Sequence, residues 1–453
     1  MAVKILLLLV FFAIMIAVGI YSRKKATNVN DFVLGGRSVG PWMTAFAFGT
    51  SYFSSVVFVG YAGQFGWKYG LASTWIGLGN AFIGSLLAWV VLGRRTRVMS
   101  QKLESATMPD FFGKRYDSKA LKLAASAICF IFLIPYTASI YNGLSRLFAM
   151  AFDIPYSVCI ITMAVLTGVY VILGGYMATA INDFIQGIIM LIGIVLVIVA
   201  VLPQMVHKFY AIKDEHSVKT GTVVSTIFAI IISGGCYFLG GFARLYADAD
   251  IYKADGSVMY DAIVPQMLST LPDILIGIVI VLVLSASMST LSSLVLTSSS
   301  TLTLDFIKGT IVKDMKEKTQ LIVMRVLIAF FIILSVVIAL NPPTFIAQLM
   351  GISWGALAGA FLAPFMYGLY SKKITKASVW ASFIVGVGLT VSNMFFKFIA
   401  SPINAGAIAM AASLIVVPLV SLVTPKMKQE QVDEMFTCYD QKVVVSEKTS
   451  LGE

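Results

Sequence analysis

The sequence predicts an all-α, polytopic membrane protein, and three observations predict it. Apolar residues make up 58% of the 453-residue chain and charged residues only 12%, a balance suited to a bilayer rather than to water. The mean hydropathy, +0.90, agrees. Apolar runs long enough to cross the hydrocarbon, roughly 20 residues as helix, recur along the chain. Backbone in lipid has to satisfy its own hydrogen bonds, which leaves helices or closed barrels; continuous rather than alternating apolar runs select helices. The expected spans are 3–21, 43–62, 70–93, 121–150, 155–175, 184–205, 221–245, 272–300, 320–340, 344–370, 376–396 and 404–424, about twelve helices in all. They make one membrane domain, 1–424, followed by a polar cytoplasmic tail, 425–453, in which no binding motif stands out.

Taken in order, the first segment follows Lys4 and is followed by "YSRKKATN" instead of a small-residue cleavage site. It reads as a retained helix, not a signal peptide. Basic residues then cluster in short connections: Arg23, Lys24 and Lys25; Arg94, Arg95 and Arg97; Lys308, Lys313, Lys316 and Lys318; Lys372, Lys373 and Lys376. Positive residues mark cytoplasmic loops, which puts the amino terminus outside. The net charge of +11 is thereby a matter of topology, and no nucleic-acid partner is implied. The four cysteines form no close pair, and neither His207 nor His216 lies in an apolar segment. No nucleophile with a nearby base is visible, so an intramembrane enzyme is disfavoured.

One segment breaks the alternation. The helix at 184–205 should run outward, yet it continues into "HKFYAIKDEHSVKTG", whose Lys208, Lys213 and Lys219 belong inside. Downstream the pattern is regular again. A membrane crossing is expected to be missing near 199–206.

Three segments carry chemistry. "SASMSTLSSLVLTSSST", 285–301, directly follows the apolar run 274–284. On a helix Ser289, Ser292 and Ser293 share a face, and Ala286 lies one turn before Ser289 and Thr290. Hydroxyls and carbonyls are hard, neutral ligands suited to an alkali cation. Such hydroxyls also bond their own i−4 carbonyl or let helices approach closely, and spacing leaves both readings open. Asp183, in "GGYMATAINDFIQG", is either a partner carboxylate or an N-terminal charge at the start of its helix. Asp305 lies beside Lys308 and reads as an interfacial residue. The second segment is interrupted by Gly49, Thr50, Ser51, Ser54, Ser55, Gly60 and Gly63. That is the composition of a helix that unwinds in mid-membrane to offer carbonyls, or of a close-packed interface.

"DFVLGGRSVGPWMTAFAFGTSYFSS", "TMPDFFGKRYDS", "ILGGYMATAINDFIQGIIM", "SASMSTLSSLVLTSSSTLTLDFIK" and "GISWGALAGAFLAPFMYGLY" together resemble the sodium:solute symporter family, in order over nearly the whole chain. The resemblance implies a five-plus-five inverted-repeat, leucine-transporter-like fold with one leading and two trailing helices. It implies a multi-pass plasma (inner) membrane protein that imports a small organic solute, amino acid, carboxylate or sugar-like, with Na+ by alternating access. Carried over by position, a sodium site takes carbonyls from Thr50, Phe53 and Ala286 and hydroxyls from Ser289 and Thr290. A second site, found in some members, falls on Asp183, Ser289, Ser292 and Ser293. Tyr52, Ser54 and Gln64 are the solute-facing candidates. Proline symporters have an aspartate where this chain has Tyr52, so proline does not follow from the resemblance. The family has one more helix than this chain, about fifty residues lying just before "LPQMVHKFYAIKD". That helix lines the solute cavity, so the alternative is a sensor-like, non-transporting relative. Neither the solute nor the oligomeric state is legible in the sequence.

Overall fold

The computed structural model describes residues 2–23, 28–35, 39–197, 215–246, 251–252, 255–269, 273–312, 314–342 and 346–440. Among them ten helices are long and apolar enough to cross a membrane. Two of the ten are compound. Val56–Lys102 joins the outer half of the second span to the third, and Tyr156–Leu191 joins two spans at Gly175. Divided there, they give a helical segment at each expected place within the described residues; the end of the expected 184–205 span, from 198 on, lies outside them.

The helices are α1 (Ala2–Arg23), α2 (Val29–Leu34), α3 (Pro41–Ser51), α4 (Ala62–Tyr69, entered through a π-helical turn, Val56–Tyr61) and α5 (Thr74–Asn80, prolonged by π-helical turns to Gly93). Then come α6 (Arg94–Lys102), α7 (Met108–Arg115), α8 (Lys119–Phe152), α9 (Tyr156–Val197) and α10 (Glu215–Gly240). The remainder are α11 (Tyr260–Ser269), α12 (Asp273–Thr301, continued by a π-helical stretch, Leu302–Ile311), α13 (Glu317–Leu340), α14 (Ile346–Tyr370), α15 (Lys376–Phe396), α16 (Pro402–Val423) and α17 (Gln429–Phe436). The hydroxyl-rich α12 is the central column, packed on α8, α9, α1 and α13.

Gly175 sets the boundary that hydropathy misplaced. Its φ is 55° and its ψ −151°, a region essentially reserved for glycine and costing other residues about 1–3 kcal/mol, and a Cβ there would lie 2.6 Å from the Phe32 ring. The second half of α9 therefore starts at Tyr176, not at 184, and Asp183 lies two turns inside the helix. We predict that Gly175→Ala lowers stability by about 1–3 kcal/mol in thermal unfolding. Gly388→Ala, in open space within α15, should be neutral or stabilising.

The direction of consecutive helices bears on the missing crossing. The second half of α9 leaves the basic end, where Gly35 meets Tyr176, and reaches the middle of the bundle, where Gly187 meets Phe46 and Thr50. In α10, Gly221 packs on Trp89 near the same basic end, and Gly240 packs on Ala62 and Gly66 at the opposite one. Both helices thus run the same way. Spans joined directly alternate in direction; the point near 199–206 itself lies outside the described residues.

One expectation for the basic end is corrected. Asp305 is not a solvated interfacial residue. It is 1% exposed, accepts from the Thr107 hydroxyl and pairs with Lys122 at 3.1 Å. The start of the tail packs against the same end of the bundle. Val432 and Cys438 are buried, Tyr439 donates to the Leu369 carbonyl at 2.9 Å, and Arg95 lies over both the Tyr370 and Tyr439 rings. Asp433 pairs with Lys372 at 2.6 Å, and the hydrogen bond from Lys372, with one from Gln429, holds its carboxyl below the usual carboxylate value.

Candidate functional site

The site is built on an interruption of the second span. α3 ends at Ser51, and Tyr52 to Ser54 leave the helix before the chain resumes. Serines make the break possible because they replace the lost helical bonds. The Ser55 N–H, which would otherwise reach Ser51, donates to Ser287 Oγ at 3.0 Å. The Val57 N–H, which would reach Phe53, donates to the Ser54 carbonyl at 3.0 Å. The carbonyls of Ser51 and Phe53 are thereby released and turn toward α12.

Thr290 meets them. Its Oγ1 lies 3.2 Å from the Ser51 carbonyl, 2.8 Å from that of Phe53 and 3.0 Å from that of Ala286. A threonine hydroxyl has one proton to donate, and three acceptors surround it. Oxygen lone pairs in excess of protons are what a cation neutralises, so the arrangement fits a small alkali ion. Next to it, Ser289 Oγ donates to Thr50 Oγ1 at 2.9 Å, and Thr50 Oγ1 donates to the Phe46 carbonyl at 2.8 Å. The Thr50 carbonyl accepts from the Phe53 N–H at 3.2 Å. Thr50, Phe53, Ala286, Ser289 and Thr290 are all 0% exposed, and at such burial electrostatic contacts are strengthened. The five residues of the first predicted set lie in one buried cluster, but the expected Thr50 carbonyl accepts from the Phe53 N–H, and the third carbonyl at Thr290 is that of Ser51.

The second set is gathered less tightly. Ser292 and Ser293 each donate to the Ser289 carbonyl, at 2.9 and 3.0 Å. Asp183 is fully buried on the facing helix α9. Tyr170, on the first half of α9, donates to the Met288 carbonyl of α12 at 2.8 Å. With Asp183 two turns inside α9, the reading as a charge at the helix start falls away. The described residues hold no group of three or more His, Cys, Asp or Glu that could bind a metal ion.

Sequence reasoning missed Ser51. Its hydroxyl lies 3.3 Å from Ser289 Oγ and 3.0 Å from Ser293 Oγ. The available signal was its place beside Thr50, at the last helical position before the break.

The three solute-facing candidates part company. Tyr52 is 3% exposed, donates to Asn80 Oδ1 at 3.4 Å and lies where any Cβ on Gly84 would be. Ser54 is buried, accepts from the Val56 N–H at 3.3 Å and neighbours Tyr136. Gln64 is 4% exposed and its Oε1 has no hydrogen-bond partner. Trp354, edge-on to Tyr136 with centroids 6.2 Å apart, has an unpartnered indole N–H as well. Neither Tyr136 nor Trp354 was anticipated; both lie on spans whose apolar periodicity hides them.

Comparison with known proteins decides the lineage. The sequence profile of the sodium:solute symporter family matches residues 32–205 and 198–386. The chain belongs to that family. Its two matched stretches meet at 198–205, the place where the charge pattern loses a crossing. The osmoregulated proline transporter OpuE of Bacillus subtilis is 27% identical over 435 residues, 85% of this chain and 88% of its own length. The sodium/proline symporter of Staphylococcus aureus is 28% identical, covering 84% of each chain. Among solved structures, a Na+-coupled sialic acid symporter in a substrate-bound, outward-open state superposes with a TM-score of 0.78 at 18% identity, covering 94% of this chain and 98% of that one. The fold is therefore the five-plus-five inverted repeat, in a multi-pass membrane protein, and sodium is the coupling ion of the family.

Proposed function

We propose that this symporter imports a small organic solute together with sodium by alternating access, with its amino terminus outside the plasma membrane. The observation that carries the reading is the single hydroxyl of Thr290 among three carbonyls. In this reading sodium takes the carbonyls of Thr50, Phe53 and Ala286, the last two of which already face Thr290 beside the Ser51 carbonyl, and the hydroxyls of Ser289 and Thr290; a second ion falls on Asp183, Ser289, Ser292 and Ser293. Because the ligands come from both the broken span and α12, an ion at this position ties the two together and biases the outward-open state that accepts solute. Neutral oxygen ligands suit release on the inner side. A membrane potential of 100 mV contributes about 2.3 kcal/mol per charge moved inward.

Gln64 and Ser54 contact the solute in this reading, with Tyr52 shaping the wall. Amino acids head the screening panel, since two relatives are named for proline; carboxylates and sugar-like solutes complete it. Uptake of labelled solute into proteoliposomes, driven by a sodium gradient and compared with potassium, tests the proposal. Sodium-dependent accumulation is expected. A second reading, a sensor-like protein that binds without flux, is favoured by the parallel directions of α9 and α10, and sodium-dependent binding without accumulation would decide for it.

Sodium binding itself has a separate readout. At a hundred times the dissociation constant, sodium should add about 2.7 kcal/mol to stability, measured as thermal unfolding in detergent with potassium at equal ionic strength as the reference. Ser289→Ala should lose this increment. Equal effects of the two cations would return the hydroxyls to a packing role.

A further inference from the structure

We infer that Ser51 is a hydroxyl relay joining the two cation positions, so that sodium bound at the first prepares the second. This rests on the sodium site proposed above and adds to it a residue and a coupling. Ser51 contacts both sets at once. Its carbonyl lies 3.2 Å from Thr290 of the first set, while its hydroxyl lies 3.3 Å from Ser289, which the sets share, and 3.0 Å from Ser293 of the second. The residue is 1% exposed, so bulk water does not substitute for these contacts.

The proton count identifies Ser51 as the switchable member. Thr50 donates to Phe46, Ser289 donates to Thr50, and Ser293 donates to the Ser289 carbonyl. Ser289 and Ser51 each have two hydroxyl oxygens within reach, but with the Ser289 proton given to Thr50 and the Ser293 proton to the Ser289 carbonyl, the Ser51 proton is the one with a choice of acceptor, Ser289 or Ser293. An ion on the first set takes a lone pair of Ser289 Oγ. The Ser51 proton then turns to Ser293, fixes that rotor by occupying one of its lone pairs, and leaves the other for the second ion. Preorganisation of this kind gives positive cooperativity. Ser51 ends α3, so the same contact couples ion binding to the geometry of the break.

The test is a sodium titration, with potassium keeping ionic strength constant, of thermal unfolding in the wild type, Ser51→Ala, Ser51→Cys and Ser289→Ala. Cysteine nearly preserves the volume of serine but lacks its hard oxygen. The wild type should titrate with a Hill coefficient above one. Both Ser51 variants should titrate with a coefficient of one and a midpoint shifted upward by about tenfold, the loss of one hydrogen-bonding contact. Ser51→Cys behaving like the wild type would make Ser51 a packing residue and overturn the relay, as would a wild-type coefficient of one. If Ser289→Ala titrates like the wild type, the sodium site itself has failed, an outcome distinct from failure of the relay alone.

Discussion

Thr290→Val is expected to abolish both sodium-dependent stabilisation and sodium-driven uptake. Valine keeps the β-branched shape of threonine and replaces only the oxygen. At 0% exposure the shape matters for packing against the broken span, so the substitution isolates the chemistry. The carbonyls of Ser51 and Phe53, already released from helical bonding, would face a methyl group. A buried acceptor left without a partner costs about 1–3 kcal/mol, so the variant should also be less stable than the wild type without sodium. Thr290→Ser separates the two effects: it restores the oxygen and should recover sodium-dependent stabilisation, with a raised midpoint because the serine rotor is less constrained. Thermal unfolding with and without sodium, followed by proteoliposome uptake, measures both. A valine variant that retained the sodium increment would show that the three carbonyls do not hold the ion.

The same residues show how much of the site could be read from the sequence. The break in the second span was legible as composition, because Gly, Ser and Thr in an apolar run offer alternative partners to the backbone. The five-residue first set came from resemblance; the bundle clusters its side chains but places the Ser51 carbonyl, not that of Thr50, at Thr290. Asp183 was harder. Hydropathy places helix ends where polarity changes, whereas the α9 boundary is fixed by the positive φ of Gly175, a backbone property that leaves no hydropathy signal. Ser51 was missed because its neighbours were selected for their carbonyls, and a side chain facing α12 is a tertiary fact. The docked start of the tail did carry a signal: Val432, Met435, Phe436 and Tyr439 follow the i, i+3, i+4, i+7 spacing of an apolar helix face, over too few turns to stand out. Asp305 could not have been placed, since its partners Thr107 and Lys122 lie far away in the chain.

Those partners set the second large effect. Lys122→Met should destabilise the protein by about 3 kcal/mol, the lower end of the cost of breaking a buried ion pair. Lys122 Nζ lies 2.6 Å from Asp110 and 3.1 Å from Asp305. The Asp305 side chain is 2% exposed and that of Lys122 23%, so solvent relieves part of the penalty on the lysine and little on the aspartate. Lys114 still reaches Asp110 at 3.1 Å, but Asp305 would keep only the Thr107 hydroxyl. Its carboxylate sits on the π-helical continuation of α12, so the charge left behind loosens the inner end of the helix that carries the ion ligands. Adding Asp305→Asn to Lys122→Met removes the uncompensated charge, and the double variant should be more stable than Lys122→Met alone. Thermal unfolding of the two single variants and the double variant yields the coupling energy directly. Simple additivity would mean that the pair is screened like a surface contact, and that α12 is anchored at this end by its packing on α8 instead.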